Sequence, residues 1–168
     1  GVYIVTNAKF FPQFEAWRYA YRSSAEIRCL SDGTESVAAR LGAVGDLKFA
    51  LEHERIEDDL FIVAGDNLFG LDPNRLVEFY RRRGPSVAVC DVKDPELVKK
   101  YNEVRLDPTG RVVYFAEKPT DPRTTLAAVC IYVFPKDIIG HIQRYAISGN
   151  NLDQPGRFIE WLYRRTDL

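Results

Sequence analysis

The sequence predicts an α/β protein built on a mostly parallel sheet, with a β-hairpin inserted late in the chain. Three observations carry this. Phe61-Ile62-Val63-Ala64 is a continuous apolar run of the kind buried on both faces of a parallel sheet, and it ends abruptly in Gly65-Asp66-Asn67. Strand-like and helix-periodic stretches alternate up to about residue 92, giving the order β-α-β-α-β-α-β that argues right-handed crossovers. After Asp94-Pro95 the pattern changes to two alternating arms, 103–107 and 111–116, flanking the turn residues Pro108-Thr109-Gly110.

Taken in order, Val2-Tyr3-Ile4-Val5 reads as a buried strand closed by Thr6-Asn7. Phe10, Phe14, Trp17 and Tyr21 follow at helical spacing, with Pro12 in the first turn, and predict a helix whose aromatic stripe faces the core. Residues 25–30 form a second strand, and Ser31-Asp32-Gly33-Thr34 a turn. Gly42 and Gly45 open a helix on which Val44, Leu47 and Leu51 share a face. Two readings of those glycines stand at this point. Free N–H groups at a helix start suit a polar or anionic ligand, and small residues also permit close packing. Asp72-Pro73 caps a helix with Leu76, Val77 and Tyr80 inward, and Arg81-Arg82-Arg83 suits its C-terminal dipole. Residues 86–92 make another strand, and residues 127–134 a long one after the hairpin. Pro135 begins a helix through Ile138, Ile139 and Ile142. Ser148-Gly149-Asn150-Asn151 breaks it, and residues 153–165 carry Phe158, Trp161 and Leu162 on a last helix.

At 168 residues and a net charge of −1, the chain is expected to form a single domain with a real core and no electrostatic footprint for nucleic acid or membrane. No apolar segment is long enough to span a bilayer. Cys29, Cys90 and Cys130 each lie in an apolar run, are too scattered for a metal knuckle, and read as buried free thiols of a cytoplasmic protein. His53 and His141 lack ligand spacing. The chain contains no methionine and opens directly on a strand, so part of a parent protein is expected before Gly1.

The chemistry-bearing stretch is Gly65-Asp66-Asn67. A carboxylate at the C-terminal end of a central strand lies where open α/β sheets collect ligands, and there it can hold a divalent metal over a phosphate. Turn chemistry alone also explains these three residues.

Several stretches together resemble the sugar-phosphate nucleotidyltransferases, the thymidylyl- and uridylyltransferases of sugar 1-phosphates. They are Val2 through Asn7, Asp32-Gly33, Leu41 through Leu47, Gly65-Asp66-Asn67, Tyr101 through Asp107, and Gly110 through Val113 leading to Glu117-Lys118-Pro119 and the strand to Phe134. The resemblance covers almost the whole chain. It implies a Rossmann-like α/β/α sandwich and a reaction in which a sugar 1-phosphate attacks a nucleoside triphosphate, giving nucleotide sugar and pyrophosphate with Mg²⁺ as cofactor. Asp66 matches the family's metal carboxylate and Lys118 the lysine on the sugar phosphate; these are the catalytic pair. Glu117 matches the acid that accepts hydrogen bonds from sugar hydroxyls. Gly33 falls where a backbone group reads the base, and Arg28 where a glutamine often does. Tyr101 and Asn102 match a Tyr-Gly pair beside the sugar, and Val129 and Tyr132 lie on the strand lining that pocket. Family members often assemble, so the resemblance is compatible with a homo-oligomer.

The chain also departs from the family pattern. Asn102 stands for a glycine, tolerating positive φ better than most residues. Val129 and Cys130 replace a small residue and glycine, and Arg28 replaces glutamine, which leaves sugar and base open. The family's Gly-rich loop precedes the strand that opens this chain, and a second metal aspartate follows its last helix. The expectation is therefore a domain incomplete at both ends and inactive alone. A non-catalytic binding or regulatory relative is the alternative. A glycosyltransferase would show an Asp-any-Asp pattern after this strand, and none follows.

Overall fold

The computed structural model describes residues 1–168. In chain order the elements are β1 (Val2–Thr6), α1 (Phe11–Ala20), β2 (Ile27–Ser31), α2 (Ala43–His53), β3 (Leu60–Val63), α3 (Pro73–Arg83) and β4 (Ser86–Asp91). Then come α4 (Pro95–Lys100), β5 (Asn102–Leu106), β6 (Val112–Glu117), β7 (Leu126–Phe134), α5 (Ile138–Ile147) and α6 (Pro155–Leu162). The α/β class and the hairpin stand as the sequence predicts. The helix α4 is new; at six residues it is too short to show a period, and Asp94 caps it by accepting from the Glu96 N–H at 2.8 Å. The same device starts α3, where Asp72 accepts from the Asn74 N–H at 2.9 Å.

The strands form three sheets: β1 with β2, β3-β7-β4, and β5 with β6. β1 and β2 run parallel. β3 and β4 run in a common direction, but the strand between them, β7, is antiparallel to both. The parallel expectation thus holds for the early strands and fails for β7, which enters after the hairpin from the opposite side. The hairpin is antiparallel, with Asn102 opposite Glu117.

The core lies in the second half of the chain. Val104, Phe115, Phe134, Ile142, Phe158, Ile159 and Leu162 are fully buried between the hairpin, β7, α5 and α6. Each of these larger side chains is worth about 1.5–3 kcal/mol relative to exposure. Three expectations are corrected here. β3 pairs on one side only, and Phe61 and Val63 are 38% and 41% exposed. β1 likewise pairs only with β2 and leaves Val2 and Tyr3 exposed. The α1 stripe is not core: Phe10, Phe14, Trp17 and Tyr21 are all exposed, Trp17 and Tyr21 stacking on each other at 4.9 Å. Apolar periodicity fixes which face of an element is oily, not what covers it. The cysteines are free, but Cys90 is exposed and Cys29 and Cys130 only half-buried. No helix is long and apolar enough to cross a membrane.

The glycines at the start of α2 are explained by packing. Gly42 has φ of +81°, and a Cβ there would stand 2.6 Å from the Leu152 carbonyl oxygen. That carbonyl accepts from the Val44 N–H at 2.9 Å, so the helix start is stitched to the loop before α6.

Candidate active site

Four stretches converge on β7. The first is the turn after β3. The Ala64 N–H and the Asn67 side-chain amide both donate to the Cys130 carbonyl, at 2.9 and 3.2 Å, and the Asn67 N–H closes the turn on the Ala64 carbonyl at 3.1 Å. Gly65 and Asp66 occupy the tip. Asp66 is exposed, and its carboxylate accepts no hydrogen bond or ion pair from the protein. Burial pushes the Cys130 thiol up, and the nearby Asp66 charge adds to this.

The second and third stretches are the two ends of the hairpin. Asn102 exchanges two hydrogen bonds with the β7 backbone, donating to the Ala128 carbonyl at 3.1 Å and accepting from the Ala128 N–H at 2.6 Å. It is buried, and its φ is not positive. The left-handed residue is instead Lys118, with φ of +51°, whose N–H donates to the Tyr101 carbonyl at 2.8 Å. The unusual backbone anticipated at Asn102 therefore occurs across the ladder, and the Asn102 amide is spent on β7. Tyr101 is exposed beside it, and Lys118 is exposed.

Glu117 is half-buried, and its carboxylate accepts no hydrogen bond from the protein. Burial pushes it up, with Glu160 adding; Arg157 and Lys118 pull it down. Tyr132 is buried, its ring stacked on Phe134 at 5.5 Å. Its phenol is pushed well above the usual range, first by burial, then by Cys130 and Glu117. The Asp66 turn is thus bonded to Cys130 of β7, and Glu117 lies opposite Asn102, which is bonded to Ala128 of the same strand. Val129 lies half-buried between the Asn102 and Asp66 attachments. The fourth stretch is the first turn of α6, where Gly156 packs directly against the Glu117 carboxylate.

Two predicted residues lie elsewhere. Arg28 sits near the start of β2 and forms ion pairs with Glu26 and Glu54, both at 2.8 Å. Glu54 follows the C-terminal end of α2, whereas Gly33 follows the C-terminal end of β2, so strand direction puts Arg28 and Gly33 at opposite rims. Arg28 is therefore not brought to the site. Gly33 is exposed, with φ of +75° and open space around it. A cavity of about 530 Å³ lies between α2 and the start of α5, lined by Leu51, Arg55, Lys136 and their neighbours, and holds none of these residues.

No group of three or more His, Cys, Asp or Glu side chains is placed to hold a metal. Mg²⁺ commonly takes one or two carboxylates and completes its shell with water and substrate phosphates, and the exposed, unpartnered Asp66 fits as one such ligand.

The profile of the family described as "Nucleotidyl transferase" matches residues 1–160. The chain belongs to that family. A relative from Sulfolobus acidocaldarius named "Putative mannose-1-phosphate guanyltransferase" is 32% identical over 112 residues, covering 66% of this chain and 30% of the relative. The "UTP--glucose-1-phosphate uridylyltransferase" of Synechocystis is 33% identical over 121 residues, covering 68% of this chain and 31% of the relative. This nucleotidyl transferase chain thus spans about a third of the length of these curated relatives. The crystal structure of a "Putative Glucose-1-Phosphate Thymidylyltransferase" from Bacillus anthracis in complex with a sucrose superposes with a TM-score of 0.68 and 17% identity, covering 97% of this chain and 63% of that one. At that identity the likeness shows the fold alone.

Residues of this nucleotidyl transferase that sequence reading passed over are Gly156, Arg157 and Glu160. Nothing in their spacing ties them to Glu117; only the packing of α6 on β6 does.

Proposed function

We propose that the protein transfers a nucleotidyl group from a nucleoside triphosphate to a sugar 1-phosphate. A phosphate oxygen of the sugar 1-phosphate attacks the α-phosphorus, the bond to the bridging oxygen breaks, and pyrophosphate leaves. The observation that carries this reading is that an unpartnered carboxylate, Asp66, is held on β7 through Cys130, and the Glu117-Lys118 end of the hairpin on the same strand through Asn102, in a chain of the nucleotidyl transferase family. In this reading Lys118 holds the sugar phosphate as a flexible point charge, and Glu117 accepts from ring hydroxyls. Val129 and Tyr132 wall the pocket and Tyr101 closes it, while Asn102 acts through the β7 backbone. Asp66 would hold Mg²⁺, which when bound would supply charge neutralisation on the phosphates. Gly33 remains the candidate for backbone contact with the base. The relatives' names differ in both base and sugar, and the proposal commits to neither. That the 168 residues are inactive by themselves is part of the same proposal.

The test uses the full-length protein and a panel of nucleoside triphosphates and sugar 1-phosphates. Asp66→Asn is expected to abolish Mg²⁺-dependent pyrophosphate release without moving the melting temperature, because the side chain has no bond to lose. Lys118→Ala is expected to raise the KM for sugar 1-phosphate by roughly tenfold or more, the worth of a charged hydrogen bond, while the nucleotide KM holds. Absence of turnover by the wild type with every pair would instead favour the non-catalytic relative.

A further inference from the structure

The last helix shapes the site more than its sequence suggests. A Cβ at Gly156 would overlap Glu117 Oε2, so the first turn of α6 forms a wall against that carboxylate. One turn on, Glu160 Oε2 accepts two hydrogen bonds, from Arg157 Nη1 at 3.0 Å and from the Glu117 backbone N–H at 3.4 Å. The end of β6 is therefore clamped to α6 through Glu160, and Arg157 fixes Glu160 in place. The Glu117 carboxylate itself accepts nothing from the protein despite being half-buried. Its oxygens are not sealed from solvent, so a ligand hydroxyl can reach and donate to them.

We propose that Arg157 and Glu160 are positioning residues for Glu117, holding the end of β6 so that its carboxylate projects unpartnered to where the hydroxyl groups of a sugar bind. This rests on the sugar 1-phosphate reading above. The charged and titratable groups facing Glu117 are Arg157 and Glu160 from α6, Lys118 from its own strand and Tyr132 from β7; β5 contributes only the neutral Asn102. Burial raises the carboxyl, and Arg157 and Lys118 oppose that rise. Removal of Arg157 leaves Lys118 as the only opposing cation, so Glu117 takes up its proton at higher pH. A protonated Glu117 accepts fewer hydrogen bonds, and sugar binding weakens from the acid side.

The test compares wild type, Arg157→Ala, Arg157→Lys and Glu160→Gln in the full-length protein. It measures kcat and KM for both substrates between about pH 5 and 8, and the Glu117 carboxyl titration by ¹³C NMR. Arg157→Ala is expected to raise the sugar 1-phosphate KM by roughly tenfold at the acid end and less at the alkaline end. The nucleotide KM should stay within about twofold of wild type, and the Glu117 resonance should titrate at higher pH. Arg157→Lys should restore most of both effects, and Glu160→Gln should keep the charge on α6 but weaken the clamp, raising the sugar KM evenly across pH. Equal losses for both substrates at every pH, or an unmoved Glu117 titration in Arg157→Ala, would overturn the proposal. If the wild type uses no sugar 1-phosphate, the functional reading fails, and the carboxyl titration still decides whether Arg157 governs Glu117.

Discussion

Asp46, in the first turn of α2, holds one carboxylate oxygen buried without a hydrogen-bond partner. Burial pushes it up to about 6, with the Asp32 carboxylate adding to the rise. A folded-state value above the ordinary 3.8 means the folded protein binds this proton more tightly. The resulting stability is fully present below about 3.8 and is lost as pH rises through about 6. Asp46→Asn is therefore expected to stabilise the protein by about 1–2 kcal/mol at pH 8, allowing for solvent screening, and not at pH 4. Urea unfolding at the two pH values checks this. At this scale the sequence is readable where identity alone carries chemistry. Asp66 and Lys118 are singled out by motif, and both turn out exposed and free of ion pairs. The partners of Arg28 were not legible, because an arginine's partners depend on the fold; here it pairs with Glu26 and Glu54. Asp46 gives no signal at all, since its lack of a partner exists only after packing.

Elements were legible where a cap or a period marks them. Asp72-Pro73 and Pro108-Thr109-Gly110 mark a helix start and a hairpin turn, and both are where the residues predict. α4 and the contacts of α6 were not, because a six-residue helix has no period and a helix face does not name its neighbour. One unforeseen link orders the loop between β6 and β7. Glu103 is fully buried, pairs with Arg105 at 2.9 Å and accepts from the Arg123 N–H at 2.8 Å, while Thr124 Oγ1 donates to the Val104 carbonyl at 2.9 Å. Burial alone would raise the Glu103 carboxyl, but these hydrogen bonds and the Arg105 charge hold it below its ordinary 4.5. Its stabilisation is thus present above that value and lost as pH falls through the lower folded one. Glu103→Ala is expected to cost about 3–5 kcal/mol at pH 7, as breaking a buried pair does, and less near pH 3. Hydrogen exchange should speed up over residues 119–125 in this variant while α5 changes only with global stability.

For the whole molecule, class and hairpin follow from the order of patterns along the chain, whereas the pairing of strands does not. β1 and β3 each leave an edge unpaired and carry exposed apolar side chains. Bare edges of this kind template strand pairing between chains. The 168-residue chain alone is expected to self-associate at roughly 50 µM, a concentration where exposed strand edges aggregate. Val63→Lys should lower that association in sedimentation velocity; a monomer without the substitution would contradict the expectation.

β7 has a consequence of its own, because a strand is a stiff ruler. Cys130, which anchors the Asp66 turn, and Tyr132, whose phenol feels the Glu117 charge, are two residues apart, about 6.6 Å of rise on one face. On the proposed function, the gap between the cation's station and the sugar's station is therefore measured by a single backbone repeat rather than by loops. Inserting two residues between 130 and 132 would preserve every side chain and double that interval, so a ligand cut to the native length could touch one station or the other, never both.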